Sequence, residues 1–289
     1  MEVLQPSSWG EALAAKDEHP EAVPLAGGTD LLVELNFDRS RPDTILDLTR
    51  VEELGQWSRN DGEVRLGAGV TYTRLIAELS SELPGLAIAS RTVGSPQIRN
   101  RGTVGGNLGS ASPAGDALPP LMACRALVEL ETSSGSRLVP MDDFCTGPKK
   151  NVLAPGELIA AVRVPVASGP QQFSKIGTRN AMVIAVASFA LCLDPANRSV
   201  GTGIGSAGPV PLRAIEAERF LEGALEEGNL WERRDELPQS AVSRFTQLAS
   251  EAARPIDDVR GSAAYRRHAL AIMARRTLSW TWAEYRGAR

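Results

Sequence analysis

Two glycine pairs in well-separated stretches constrain this chain most, Ala26-Gly27-Gly28-Thr29-Asp30 and Thr103-Val104-Gly105-Gly106-Asn107. Glycine accepts positive φ and has no Cβ to hold a ligand off the backbone, so successive amides can converge on one anion. Either pair alone reads more readily as a plain tight turn. Two pairs with matching hydrogen-bonding flanks point to a diphosphate gripped from two sides. Neither turn contains a lysine, so oriented N–H dipoles would do the binding, helped by the threonine hydroxyls and the Asn107 amide.

The surrounding pattern is α+β. Ser8-Trp9-Gly10-Glu11 forms a capping box that opens a helix to about Lys16. A strand over residues 22–26 feeds the first turn, an apolar Leu31-Leu32-Val33 segment follows, and residues 44–48 form a second strand. After a turn at 60–63, residues 64–66 read as a strand, and Thr71 caps a helix carrying Leu75, Ile76 and Leu79. Residues 84–93 are helical. Residues 94–109 are too glycine-rich for a helix or sheet interior. Residues 129–132 and 137–139 flank a hairpin turn, and 158–164 form a further strand. Ser168-Gly169-Pro170 is the linker. Beyond it, 173–176, 183–193 and 200–206 predict three antiparallel strands. Helices follow at about 214–221, 239–253 and 262–285, the last opened by Asp257 and Asp258. The expected units are 1–58, 59–168 and 169–289.

Composition narrows the function. At 43% hydrophobic and 23% charged residues the chain is an ordinary globular protein. Its 31 Lys and Arg against 35 Asp and Glu give no basic excess for a phosphate backbone, which argues against nucleic acid. Cys124, Cys145 and Cys192 show no C-x-x-C, which excludes a zinc knuckle, an iron–sulfur cluster on this chain and a thioredoxin-like dithiol. His19 and His268 read as surface residues, too few for a metal site and a catalytic base together. The start lacks signal-peptide character, and the longest apolar run, 181–193, is shorter than the roughly 20 residues of a membrane helix. The expectation is a cytoplasmic chain with no membrane span.

Other candidates are weaker. Gly203-Ile204-Gly205-Ser206-Ala207-Gly208 satisfies G-x-G-x-x-G formally, but Pro209-Val210-Pro211 follows where a Rossmann helix would have to open. Asp116 either caps a helix at Ala117-Leu118 or accepts from sugar or ribityl hydroxyls. Arg266, Arg267, Arg275 and Arg276 predict a solvated face on the last helix. No nucleophile motif is present, and no residue is assigned as catalytic or metal-binding.

These residues resemble a known family. The two turn motifs, extended through Gln97-Ile98-Arg99-Asn100-Arg101-Gly102 and Ala111-Ser112-Pro113, are similar to the FAD-binding medium subunit of molybdenum hydroxylases of the xanthine dehydrogenase and carbon monoxide dehydrogenase type. The similarity continues through Lys175-Ile176-Gly177-Thr178-Arg179, Pro211-Leu212-Arg213-Ala214 and residues 258–267. It implies a two-subdomain FAD-binding fold of the vanillyl-alcohol-oxidase (PCMH) type, followed by a C-terminal antiparallel three-stranded sheet with helices. It further implies that Pro24, Leu25, Ala26, Gly27, Gly28, Thr29, Asp30 and Leu31, with Thr103, Val104, Gly105, Gly106 and Asn107, wrap the diphosphate and ribityl chain of FAD. By the same resemblance Asp116 holds sugar hydroxyls, and Val93, Ile159 and Lys175 contact the cofactor, Val93 standing where relatives carry an aromatic. Lys175 reads otherwise as a surface lysine. Electrons would arrive from two 2Fe-2S clusters in a small subunit, after hydroxylation at molybdopterin in a large one, within a dimer of heterotrimers (a heterohexamer). From FAD they would pass to an external acceptor. A stand-alone flavin oxidase of the same fold is the alternative enzyme, and an assembly module that has lost FAD is the non-enzymatic one.

Overall fold

The computed structural model describes residues 1–287. Its architecture is built on three main sheets. The first is parallel, with Thr44–Asp47 between Glu2–Leu4 and Val23–Leu25, and helix Trp9–Glu18 packs beside it. Ser8 Oγ caps that helix by accepting from the Glu11 amide at 3.3 Å. The Glu11 carboxylate reaches back one residue further than a capping box requires, to the Ser7 amide at 2.8 Å. The strand at Glu2–Leu4 escapes sequence reading because three residues carry no period.

The second sheet is antiparallel and five-stranded, in the spatial order Trp57–Asn60, Glu63–Gly67, Leu158–Pro165, Leu127–Thr132, Gly135–Pro140. Asp61 and Gly62 turn the first hairpin with φ of 49° and 76°, the left-handed pair that matches strand twist. Helices Tyr72–Glu78, Pro84–Arg91, Val104–Ser110 and Leu118–Ala123 share its core through Leu75, Leu79, Leu86, Leu108 and Leu121.

Helices at Pro96–Arg101 and Val104–Ser110 overturn the expectation that residues 94–109 are non-helical. Local propensity loses to capping and packing here. Ser95 and Thr103 cap the two starts through side-chain oxygens, Val104 and Leu108 are fully buried, and left-handed Ala111 (φ 43°) closes the second helix.

The third sheet, Gln171–Ile176, Ala187–Asp194 and Ser199–Gly205, is antiparallel in chain order, as expected. Helices Ile215–Glu227, Gln239–Glu251 and Ala263–Gly287 pack against it around Phe189, Phe245, Leu270 and Leu278. Strand 187–194 is buried along almost its whole length because helix 263–287 and helix 118–123 both pack on it, which explains its unbroken apolar run.

Helix 118–123 also explains the rejected dinucleotide motif. A Cβ on Gly201 would strike the Ala123 carbonyl, and one on Gly203 the Pro119 carbonyl. These alternate glycines let a strand lie directly on a helix backbone, and the next helix begins only at Ile215. Arg266 departs from the solvated-face expectation. It is 3% exposed and donates to the Val186 and Ser206 carbonyls, each at 2.7 Å, while Arg267, Arg275 and Arg276 are exposed. Asp257 accepts from the Ala263 amide at 2.5 Å, opening the last helix as the sequence suggested. His268 is exposed and His19 half-buried.

Candidate cofactor site

Strand Val23–Leu25 leaves the first sheet where the Leu48 amide donates to the Leu25 carbonyl at 2.9 Å. The chain then turns through Ala26–Asp30, with Gly28 at φ +74°, into helix Leu31–Asn36. Among the described residues, the amides of Ala26, Gly27, Gly28, Thr29 and Asp30 donate to no protein acceptor. Five successive bare amides around a glycine turn form an anion-accepting concavity.

The second turn is built differently. Four of its five amides are already spent inside the protein: Val104 on the Val70 carbonyl (3.4 Å), Gly105 on Ala68 (3.0 Å) and Asn107 on Thr103 (3.1 Å), with Gly106 on Thr103 Oγ1 (2.9 Å); among the described residues only the Thr103 amide donates to no protein acceptor. The expectation of amides converging from both turns is therefore corrected for this one. Val104 and Gly105 point inward, Gly105 so tightly that a Cβ would lie 2.5 Å from the Ala68 Cβ. Gly106 is the open position, where a Cβ would meet Thr103 Oγ1 at 3.1 Å and the Ala26 Cβ only at 4.0 Å. Thr103, while accepting from Gly106, keeps its own proton to donate.

The two turns lie side by side. Gly27 packs on the Arg101 carbonyl, and a Cβ there would collide with it. Asp30 Oδ2 accepts from Ser110 Oγ at 2.7 Å, tying the end of the first turn to the end of the glycine helix. Pro24 is exposed, while Leu25 and Leu31 are half-buried at the margins of this region.

A second group forms around Asp116. Lys175 Nζ donates to Asp116 Oδ2 at 2.5 Å and to the Thr92 carbonyl at 3.3 Å, and Thr92 Oγ1 lies 3.2 Å from the same carboxylate oxygen. Thr92, which sequence reading missed, thus connects Lys175, Asp116 and its neighbour Val93. Its only sequence signal is a polar residue at the end of a helical stretch. Val93 and Ile159 both pack against the second sheet's core, and Ile159 Cδ1 is 4.0 Å from where a Gly109 Cβ would lie. Asp116 does not cap helix 118–123, whose start at Ala117 has no side-chain cap. Lys175 is not a surface lysine, its side chain being 8% exposed. Burial pushes the Asp116 carboxyl above its usual range against the pull of Lys175.

Three buried side-chain oxygens here have no partner: Tyr72 Oη, Asn107 Oδ1 and Asp116 Oδ1. Bare buried polar atoms are rare. Together with the bare amides of the first turn and the open face of Gly106, they fit a polar dinucleotide with an anionic bridge.

The comparisons agree with that chemistry. Residues 1–167 match the family of FAD binding domains in molybdopterin dehydrogenases, and residues 172–281 match the carbon monoxide dehydrogenase flavoprotein C-terminal domain. The chain belongs to the FAD-binding medium subunits of the xanthine dehydrogenase and carbon monoxide dehydrogenase family. It is 31% identical to the glyceraldehyde dehydrogenase medium chain of Sulfolobus acidocaldarius, covering 93% of this chain and 94% of that one. The xanthine dehydrogenase FAD-binding subunit of Escherichia coli O157:H7 is 30% identical, covering 94% and 93%. In structure it is similar to the carbon monoxide dehydrogenase of Hydrogenophaga pseudoflava in a form lacking the Mo-pyranopterin moiety, with a TM-score of 0.88 and 29% identity over 98% of each chain. FAD is accordingly this subunit's cofactor, and the fold is the expected FAD-binding domain followed by a C-terminal flavoprotein domain.

Proposed function

We propose that this chain is the electron-transfer subunit of a molybdenum hydroxylase, accepting electrons from the 2Fe-2S clusters of a small subunit and delivering them to an external acceptor. The observation that carries this reading is the run of bare amides at residues 26–30 beside Gly106, where the Ala26 Cβ lies 4.0 Å from the Cβ position of Gly106. FAD, when bound, supplies a carrier able to exchange electrons singly or in pairs. The protein's part is to hold and orient it. Ala26 to Asp30 would grip the diphosphate through their N–H groups. Thr103 would donate its hydroxyl, and Gly106 and Asn107 would line the opposite wall. Val104 and Gly105 contribute by pinning that wall to the second sheet. Asp116, Lys175, Val93 and Ile159 would flank the far end, with Pro24, Leu25 and Leu31 at the margin.

The proposed units are 1–58 and 59–168, forming the two lobes of the cofactor site, and 169–289. The proposed assembly is a cytoplasmic dimer of heterotrimers with a small 2Fe-2S subunit and a large molybdopterin subunit. No helix among the described residues is long and apolar enough to cross a membrane. Visible flavin absorbance of the purified full chain, and its co-purification with those two subunits, test the reading. Colourless protein that takes up no FAD would reject it, and flavin-loaded protein that never associates with such subunits would favour a stand-alone oxidase.

A further inference from the structure

Tyr72 lies outside both glycine motifs yet is built into the wall they share. It opens helix Tyr72–Glu78, whose cap residue Thr71 forms a backbone bridge with Thr103, the cap of the glycine helix. The Tyr72 amide donates to the Gly102 carbonyl at 3.1 Å. Ring atoms Cδ2 and Cε2 lie 3.3 Å from where a Gly102 Cβ would stand, and the Gly102 Cα is itself 3.0 Å from where a Gly27 Cβ would stand. The ring is therefore stacked beneath the strip of backbone on which the first glycine turn rests.

Tyr72 is 3% exposed, and its hydroxyl has no hydrogen-bond partner. The carboxylates whose charge reaches it are Asp116, at the far group, and Asp30, at the end of the first turn. Neither bonds to it, since Asp30 accepts from Ser110 and Asp116 from Lys175. Burial and these two carboxylates push the phenol pKa up from its ordinary value, so the hydroxyl keeps its proton to donate at neutral pH. A bare buried donor beside an anion-accepting turn requires an acceptor that the chain does not provide.

We infer that the Tyr72 hydroxyl donates a hydrogen bond to bound FAD, on an oxygen of the diphosphate or adjoining ribityl chain, making it a cofactor-binding residue outside the glycine motifs. The inference rests on the reading that this cleft holds FAD. An anionic phosphate oxygen is the strongest acceptor within that segment.

The test is titration of FAD into the deflavinated full chain, followed by quenching of flavin fluorescence, for the wild type and Tyr72→Phe. The melting temperature of each chain is measured without FAD. Phenylalanine keeps the ring and removes only the donor, so the expected result is FAD affinity weaker by about tenfold with an unchanged melting temperature. Equal affinity in the two proteins overturns the inference. So does a melting temperature that falls together with affinity, because the hydroxyl would then serve an internal bond. Failure of the wild type to bind FAD refutes the underlying reading and this inference with it, and the wild-type titration alone reveals that case.

Discussion

Lys175 Nζ lies 2.5 Å from Asp116 Oδ2, and each side chain is 8% exposed, so a buried ion pair joins the third sheet to the segment that follows the glycine helix. Such a pair costs desolvation on both sides, and breaking it is worse than replacing it.

Lys175→Met should destabilise the folded chain by about 3–5 kcal/mol, by leaving a buried carboxylate uncompensated. The double variant Lys175→Met with Asp116→Leu should recover most of that loss. Urea unfolding of the three proteins checks this, and equal stability of the single and double variants would show that the pair is not electrostatically coupled.

Gly106→Val and Gly27→Ala should fail in different ways. At Gly106 a Cβ would meet no backbone, only the Thr103 hydroxyl at 3.1 Å and the Ala26 Cβ at 4.0 Å, so circular dichroism and melting should stay closer to wild type than for Gly27→Ala while flavin content collapses. At Gly27 even one methyl collides with the Arg101 carbonyl, and overpacking should cost about 1–3 kcal/mol. Flavin retained in full by purified Gly106→Val protein would place the cofactor elsewhere.

Glu129 should make stability sensitive to acid. Burial alone would raise its pKa, but hydrogen bonds from Arg65 and Arg163 outweigh that and hold it at about 2, below the ordinary 4.5. Arg65 Nη2 and Arg163 Nε each lie 2.8 Å from its carboxylate oxygens. A pKa lowered on folding stabilises the native state above about 4.5 and loses that contribution as pH falls toward 2. Urea midpoints across this window should therefore slope less steeply for Glu129→Gln than for wild type.

Gly203→Ala and Gly223→Ala should have opposite signs. The first drives a methyl into the Pro119 carbonyl, and a loss of about 1–3 kcal/mol is expected. The second lies in helix Ile215–Glu227 with nothing near its Cβ position, where alanine should gain about 0.5–1 kcal/mol. Thermal unfolding of both variants decides.

Strands and helices with a clear period were legible in the sequence, because burial of one face imposes spacing on the residues themselves. The three C-terminal strands and the Thr71 and Asp257 caps belong to this class. So do the two glycine turns, whose residue types state that backbone must be approached closely. What approaches was not legible. At Gly27 it is the Arg101 carbonyl, at Gly105 it is Ala68, at Gly203 it is a helix backbone, and at Gly106 it is the hydroxyl of its own helix cap, Thr103. The helix over 104–110 stayed hidden because its stability comes from a threonine cap and buried Val104 and Leu108 rather than from propensity. Likewise Lys175, Asp116 and Thr92, distant in the chain, form one buried cluster only after the third sheet packs on the second. A one-dimensional pattern records which residues must be buried or bare, whereas which partner each one meets is set by the packing of elements far apart in sequence.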